Sequence, residues 1–139
     1  MEGYRNLTFV IADDYPMVRE TVKTIIEEKG YQVLGEASDG DEVVRLCRTL
    51  EPDIAVLDIS MSRLNGIEAA REIKKNCPST KIVFLTVHPG GPYLLASLVA
   101  GVSGYVTKGK SASILLDAID AVSKGEIYVR AWDPNPGVI

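Results

Sequence analysis

Cysteine, histidine and tryptophan are scarce in this chain, with two, one and one among 139 residues. Cys47 and Cys77 form no CxxC pair and have no histidine nearby, which excludes a cysteine-rich metal knuckle. Two isolated thiols in an acidic chain fit a reducing cytoplasm better than a disulfide framework, and both are expected to be small buried hydrophobes. Positive charge is also in deficit. Fifteen Lys and Arg against nineteen Asp and Glu leave a net charge of -4, so the chain has no electrostatic footprint for nucleic acid or an anionic membrane. No apolar run is long enough to span a bilayer, and the opening residues show no basic segment before an apolar stretch. Neither G-x-x-x-x-G-K-[ST] nor G-x-G-x-x-G occurs, which argues against a nucleotide or dinucleotide site. Internal repeats and low-complexity tracts are missing too. The chain therefore reads as a cytoplasmic domain that neither enters a membrane nor binds nucleic acid directly.

What is present is a strict alternation of two patterns. Short β-branched, apolar runs fall at 7–12, 31–35, 54–57, 81–86 and 104–107. Between them lie longer stretches with helical spacing. The first begins at Pro16, places Val18, Val22, Ile25 and Ile26 on one face and stops at Gly30. The second covers 41–50 and the third 66–76, each closed by a nearby proline. The fourth, 93–100, ends at Gly101. The fifth opens at Ser111, a candidate N-cap, and closes before Gly125. Five β/α units in alternation predict a parallel sheet covered by helices on both faces. The continuous apolar run Ile54-Ala55-Val56-Leu57 suits a strand buried on both sides, and right-handed crossovers make the sheet doubly wound. Residues 125–139 break the pattern. Despite a short β-like patch at Ile127, Tyr128 and Val129, they read as a tail or the start of a linker behind a domain at 1–124.

In a doubly wound sheet, binding occurs at the carboxyl ends of the strands. There the chain places Asp13 and Asp14 after the first strand and Asp58 after the third. Thr86 follows at the end of the fourth and Lys108 after the fifth. Three carboxylates gathered together repel one another unless a cation joins them, and a hard divalent ion with oxygen ligands, above all Mg2+, answers that need. Such a site can also hold phosphate, with Lys108 neutralising one oxygen and an aspartate as nucleophile, giving an acyl phosphate. Taken singly, each residue has a plainer reading. Asp13 and Asp14 suit the start of any helix, Asp58 a turn, Thr86 a strand and Tyr105 a core.

The pieces Phe9-Val10-Ile11-Ala12-Asp13-Asp14, Pro52 through Ile59, Asn65-Gly66-Ile67-Glu68-Ala69-Ala70, Lys81 through Thr86 and Gly101 through Lys108 occur in fixed order and spacing. In these the chain resembles response-regulator receiver domains over about residues 7–124. Gly66 to Ala70 and Ala100 to Tyr105 are most similar to the receivers of LuxR/NarL-type transcriptional regulators. That resemblance implies a CheY-like, flavodoxin-like fold of five parallel strands in the order 2-1-3-4-5 with five helices. It further implies Asp58 as phosphoacceptor, with Mg2+ (or Mn2+) held by Asp14 directly, by Asp13 largely through water, by Asp58 and by the backbone carbonyl of Ser60. Thr86 and Lys108 would bind the phosphoryl group, and Tyr105 would be an aromatic switch that turns inward as Thr86 moves. The implied partner is a sensor histidine kinase, with a homodimer as one outcome of phosphorylation. The implied output is transcription through a helix-turn-helix lying outside this chain.

Some positions depart from the family pattern. Ser62 stands where proline is usual, and Val87 where a small residue is common, so Val87 is expected to narrow access to Asp58 or hinder Thr86 and Tyr105. His88, the sole histidine, reads as an exposed loop residue without a partner that tunes hydrolysis at Asp58. Two other readings compete. A small-molecule phosphatase working through an aspartyl phosphate would usually carry a second aspartate where this chain has Ser60. An unphosphorylated interaction module would have no use for the five site residues.

Overall fold

A strand covered by helices on both sides must be apolar at every position, and Ile54–Leu57, at the centre of the sheet, meets that condition. The structure, a computed structural model, describes residues 6–88, 90–109 and 111–130. The strands are β1 (Thr8–Ala12), β2 (Gln32–Ala37), β3 (Ile54–Leu57), β4 (Lys81–Thr86), β5 (Gly104–Thr107) and β6 (Tyr128–Arg130). The helices between them are α1 (Pro16–Glu28), α2 (Gly40–Leu50), α3 (Gly66–Asn76), α4 (Pro92–Val99) and α5 (Ala112–Ser123). All strand pairs are parallel, in the order β2-β1-β3-β4-β5-β6.

Alternate residues of each strand feed two cores. Phe9, Ile11, Ile54, Val56, Val83 and Val106 face Val22 and Ile26 of α1 and Leu115, Ala118, Ile119 and Val122 of α5. Val10, Ala12, Ala55, Leu57, Ile82 and Phe84 face Val43 of α2 and Ala69, Ala70 and Ile73 of α3, with Leu94 of α4 packed alongside. The helices begin where local chemistry allows. Asp39 accepts the Glu42 N–H at 2.9 Å to cap α2, and Asn65 accepts the Glu68 N–H at 2.9 Å to cap α3. Ser111 stands at the N-cap of α5 but makes no side-chain cap bond; its hydroxyl lies 2.8 Å from that of Ser113.

The expected sheet of five strands is corrected to six. The extra strand falls within the stretch read as tail, and residues 131–139 of that stretch lie outside the described residues. After α5 the chain turns at Gly125 (φ 90°), and the Tyr128 N–H reaches the Ser103 carbonyl at 2.9 Å. Tyr128, Val129 and Arg130 then pair with Gly104, Tyr105 and Val106, which would otherwise present unpaired backbone at the sheet edge. Three residues are too few to display a period of two.

Cys47 and Cys77 are both free and buried, as expected, yet they do not stand alone. The Cys77 thiol donates to the Cys47 carbonyl at 3.5 Å. Burial, helped by Cys77, pushes the Cys47 thiol up to about 12, so it stays protonated and unreactive. Among the described residues, no helix is long and apolar enough to cross a membrane.

Gly66 shows how tightly α3 is set behind the β3 edge. A Cβ there would overlap the Asp58 carbonyl oxygen and come within 2.7 Å of Ile59 Cα, both backbone atoms that have no rotamer to escape into. Gly66→Ala is therefore expected to destabilise the fold by about 3 kcal/mol, the upper end of overpacking penalties, as read from urea unfolding.

Candidate functional site

Because the strands are parallel and in register, their ends coincide. Ala12 lies opposite Leu57, Leu57 opposite Phe84, and Thr86 opposite Thr107. One residue further on, Asp13, Asp58 and Lys108 meet. Lys108 Nζ is 2.8 Å from Asp13 Oδ2 and 3.2 Å from Asp58 Oδ2, bridging the two carboxylates. Asp13 Oδ1 accepts the Tyr15 N–H at 2.9 Å. Asp13 and Asp58 are buried, Asp58 to 2 % exposure, whereas Asp14 is exposed at the rim. Carboxylate oxygens of Asp13, Asp14 and Asp58 lie within 4.8 Å of one another.

The electrostatics follow from burial. Desolvation raises the Asp58 carboxyl above its ordinary value; Lys108 opposes this, Asp13 reinforces it, and the Ser60 backbone amide favours the charged form too weakly to reverse it. Burial would lower Lys108, but its bonds to Asp13 and Asp58 outweigh that and hold the ammonium above its ordinary value. Asp58 Oδ1 is buried and has no hydrogen-bond partner of ordinary geometry. A buried, unpartnered carboxylate oxygen beside two more carboxylates suits a hard divalent cation, and the donors are all oxygen, so the residues present fit such an ion.

The loop after Asp58 is firm without a proline at 62. Ile59 carbonyl accepts from Met61 at 3.1 Å and Gly66 at 2.7 Å, and Ser62 carbonyl accepts from Gly40 at 3.3 Å. Arg63, in the left-handed region at φ 68°, lies 3.5 Å from Asp39.

Thr86 and Tyr105 are both fully buried. The Thr86 hydroxyl accepts the His88 N–H at 3.3 Å, and the Tyr105 hydroxyl donates to the His88 carbonyl at 2.9 Å. Tyr105 thus stands inward, edge-on to Phe84 with centroids 6.4 Å apart. Burial pushes its phenol up to about 12, so it remains a neutral donor. Val87, between the buried Thr86 and the half-buried His88, is 62 % exposed.

His88 is corrected. It is half-buried rather than exposed, its Nε2 lies 2.8 Å from the Ser60 hydroxyl, and its ring stacks on Tyr93 at 3.9 Å. Ser60 and His88 sit in different loops, and only the adjacency of β3 and β4 brings them together. Two residues near the site went unread in the sequence. The Tyr15 ring lies 5.8 Å below Lys108 Nζ, within cation–π range, and Arg19 donates to the Asp13 carbonyl at 2.6 Å.

A raised carboxylate pKa means that the charged form weakens the fold. The contribution of Asp58 to stability should fall as pH rises from the ordinary carboxylate range through its raised folded pKa, above which the loss is complete. Asp58→Asn should escape this fall. Its melting temperature in EDTA at pH 7 should exceed wild type by roughly 3 °C, the shift about 1 kcal/mol produces at this size. A lower melting temperature would show that the bond to Lys108 outweighs burial.

Comparison with known proteins agrees with this geometry. Residues 9–120 match the response regulator receiver domain family. Response regulator UvrY of Escherichia coli K12 is 36% identical over 126 residues, covering 90% of this chain and 58% of that protein. The chain thus spans little more than half the length of this curated relative. A two-component response regulator of the LuxR family from Aurantimonas sp. SI85-9A1 superposes with a TM-score of 0.85 at 38% identity, covering 89% of each chain. The isolated REC domain of RcsB from Salmonella enterica serovar Typhimurium, solved with the phosphomimetic BeF3-, gives 0.82 at 28% identity, covering 91% of this chain and 94% of that one. With the acidic edge, the bridging lysine and a family match over most of its length, the chain belongs to the response regulator receiver domains, the phosphoacceptor switch domains of two-component systems.

Proposed function

We propose that Asp58 accepts a phosphoryl group from a sensor histidine kinase and that its phosphorylation switches the β4–α4 region. The observation that carries this reading is the buried Asp58 Oδ1, unpartnered beside Asp13, Asp14 and Lys108. Asp14, Asp13, Asp58 and the Ser60 carbonyl would hold Mg2+ or Mn2+. The rim position of Asp14 suits direct ligation, while both oxygens of Asp13 are already engaged. The ion would supply charge neutralisation for the transferring group.

The residues of the chain do the rest. Asp58 presents a desolvated carboxylate as nucleophile, and the new bond forms between its oxygen and phosphorus as the kinase imidazole leaves. Lys108, already bonded to Asp58 Oδ2, pairs with a phosphoryl oxygen. The Thr86 hydroxyl, now an acceptor from the His88 N–H, turns to donate to another. Moving a two-state domain from mostly off to mostly on takes about 5.5 kcal/mol of differential interaction. Two or three charge-assisted hydrogen bonds at about 1.5–3 kcal/mol each total roughly 3–9 kcal/mol, a range that brackets this requirement. Tyr105, bonded to the backbone of His88, ties that movement to the loop preceding α4. The domain works as a cytoplasmic switch rather than a turnover enzyme, since Ser60 offers no acid where a phosphatase would need one. Its output is transcription through a helix-turn-helix outside this chain, with dimerisation on phosphorylation as one route.

Intact mass after incubation with acetyl phosphate tests this reading. Wild type with Mg2+ should gain one phosphoryl group, and Asp58→Ala or wild type in EDTA should gain none. Labelling that survives Asp58→Ala would sink the assignment, and steady turnover of small phosphoesters would favour an enzyme.

His88 and Ser60 join the two loops that follow β4 and β3, next to Asp58 and Thr86. If that bridge holds water away from the acyl phosphate, His88→Ala should shorten the lifetime of the phosphorylated protein severalfold, followed as loss of label over time. An unchanged lifetime would remove His88 from the site.

A further inference from the structure

Asp13 spends every polar group it has. Its N–H donates to the Ala37 carbonyl at 3.1 Å, Oδ1 accepts from Tyr15, and Oδ2 meets Lys108. Its own carbonyl faces the β2 side, where a parallel ladder would next supply an N–H from beyond Ala37. Among the described residues none comes, because Asp39, still extended, bridges to Ser62 instead and caps α2. The guanidinium of Arg19, one turn into α1, takes that place and donates to the Asp13 carbonyl at 2.6 Å. Arg19 is itself anchored, with Nε 3.4 Å from Glu36 Oε1, while Lys23 holds the other oxygen of Glu36 at 3.5 Å. The end of β2, the end of β1 and the first turns of α1 are thereby clamped at one side chain.

We propose that Arg19 is a positioning residue for the metal site: by completing the interrupted ladder at Asp13 it fixes the backbone that aims Asp13 and Asp14 at Asp58. This rests on the metal-dependent reading above and extends it to a residue that touches neither the ion nor the phosphoryl group. A planar fork is what the position needs, since one group must serve a carbonyl and a carboxylate in different directions. The sign of the effect separates positioning from simple electrostatics. A cation near the acidic cluster repels a divalent ion, so removing its charge alone would tighten binding; loss of positioning weakens it.

The test is an amide NMR titration with MgCl2 on wild type, Arg19→Met and Arg19→Lys, with melting temperatures in EDTA recorded alongside. Arg19→Met should weaken Mg2+ binding roughly 10-fold, the lower end of losses seen when a partner behind a metal ligand is removed. Arg19→Lys keeps the charge and loses the fork, so it should weaken binding in the same direction by less. Equal or tighter binding in Arg19→Met overturns the proposal, as does a fall in melting temperature with Mg2+ affinity untouched. If Arg19→Met does not fold, unchanged affinity in Arg19→Lys overturns it equally. No Mg2+ response in wild type would instead bring down the metal reading itself, and this inference with it.

Discussion

The architecture of this edge depends on Lys108 lying between Asp13 and Asp58. Two buried carboxylates side by side would each carry a desolvation penalty and repel the other. One ammonium answers both, at the cost of committing all three groups to a single arrangement. An arriving cation finds Asp58 Oδ1 unpartnered, whereas a group that engages Asp58 Oδ2 must redirect Lys108. One ammonium against three carboxylates leaves the edge short of positive charge, and any change at Asp58 is felt directly by Lys108, just beyond β5.

The same strand carries Tyr105, three residues before Lys108. Its hydroxyl holds the carbonyl of His88, whose N–H is held by Thr86 and whose ring is held by Ser60 and Tyr93. The loop before α4 thus has four attachments converging on one residue, drawn from the loop after β3, from β4, from β5 and from α4. A receiver that switches by moving this loop has to trade those attachments together, which favours two discrete arrangements over a gradual drift.

Much of this was legible from the chain alone. Strict β/α alternation decides which strand ends share an edge, so Asp13, Asp58, Thr86 and Lys108 could be grouped before any coordinates existed. Helices on both faces followed from the β/α alternation, and the unbroken apolar run of β3 from burial on both sides. What escaped reading has a common cause: contacts made by backbone atoms or between loops leave no periodic trace. Arg19 serves a carbonyl, which has no residue type to recognise. His88 and Ser60 meet only because β3 and β4 are neighbours, and nothing in either loop announces the other. Cys47 and Cys77 come together for a similar reason, as α2 and α3 end side by side. β6 was missed because a strand of three residues is defined by the edge it joins rather than by its own pattern.

That short strand changes where the chain leaves the domain. α5 runs back across the sheet, so a chain departing after Lys124 would exit at the pole opposite Asp58. By returning parallel to β5, β6 carries the chain forward again, and Arg130 ends level with Val106, two residues short of Lys108. The described chain therefore ends on the same side of the sheet as Asp58, rather than at the far pole to which α5 had carried it.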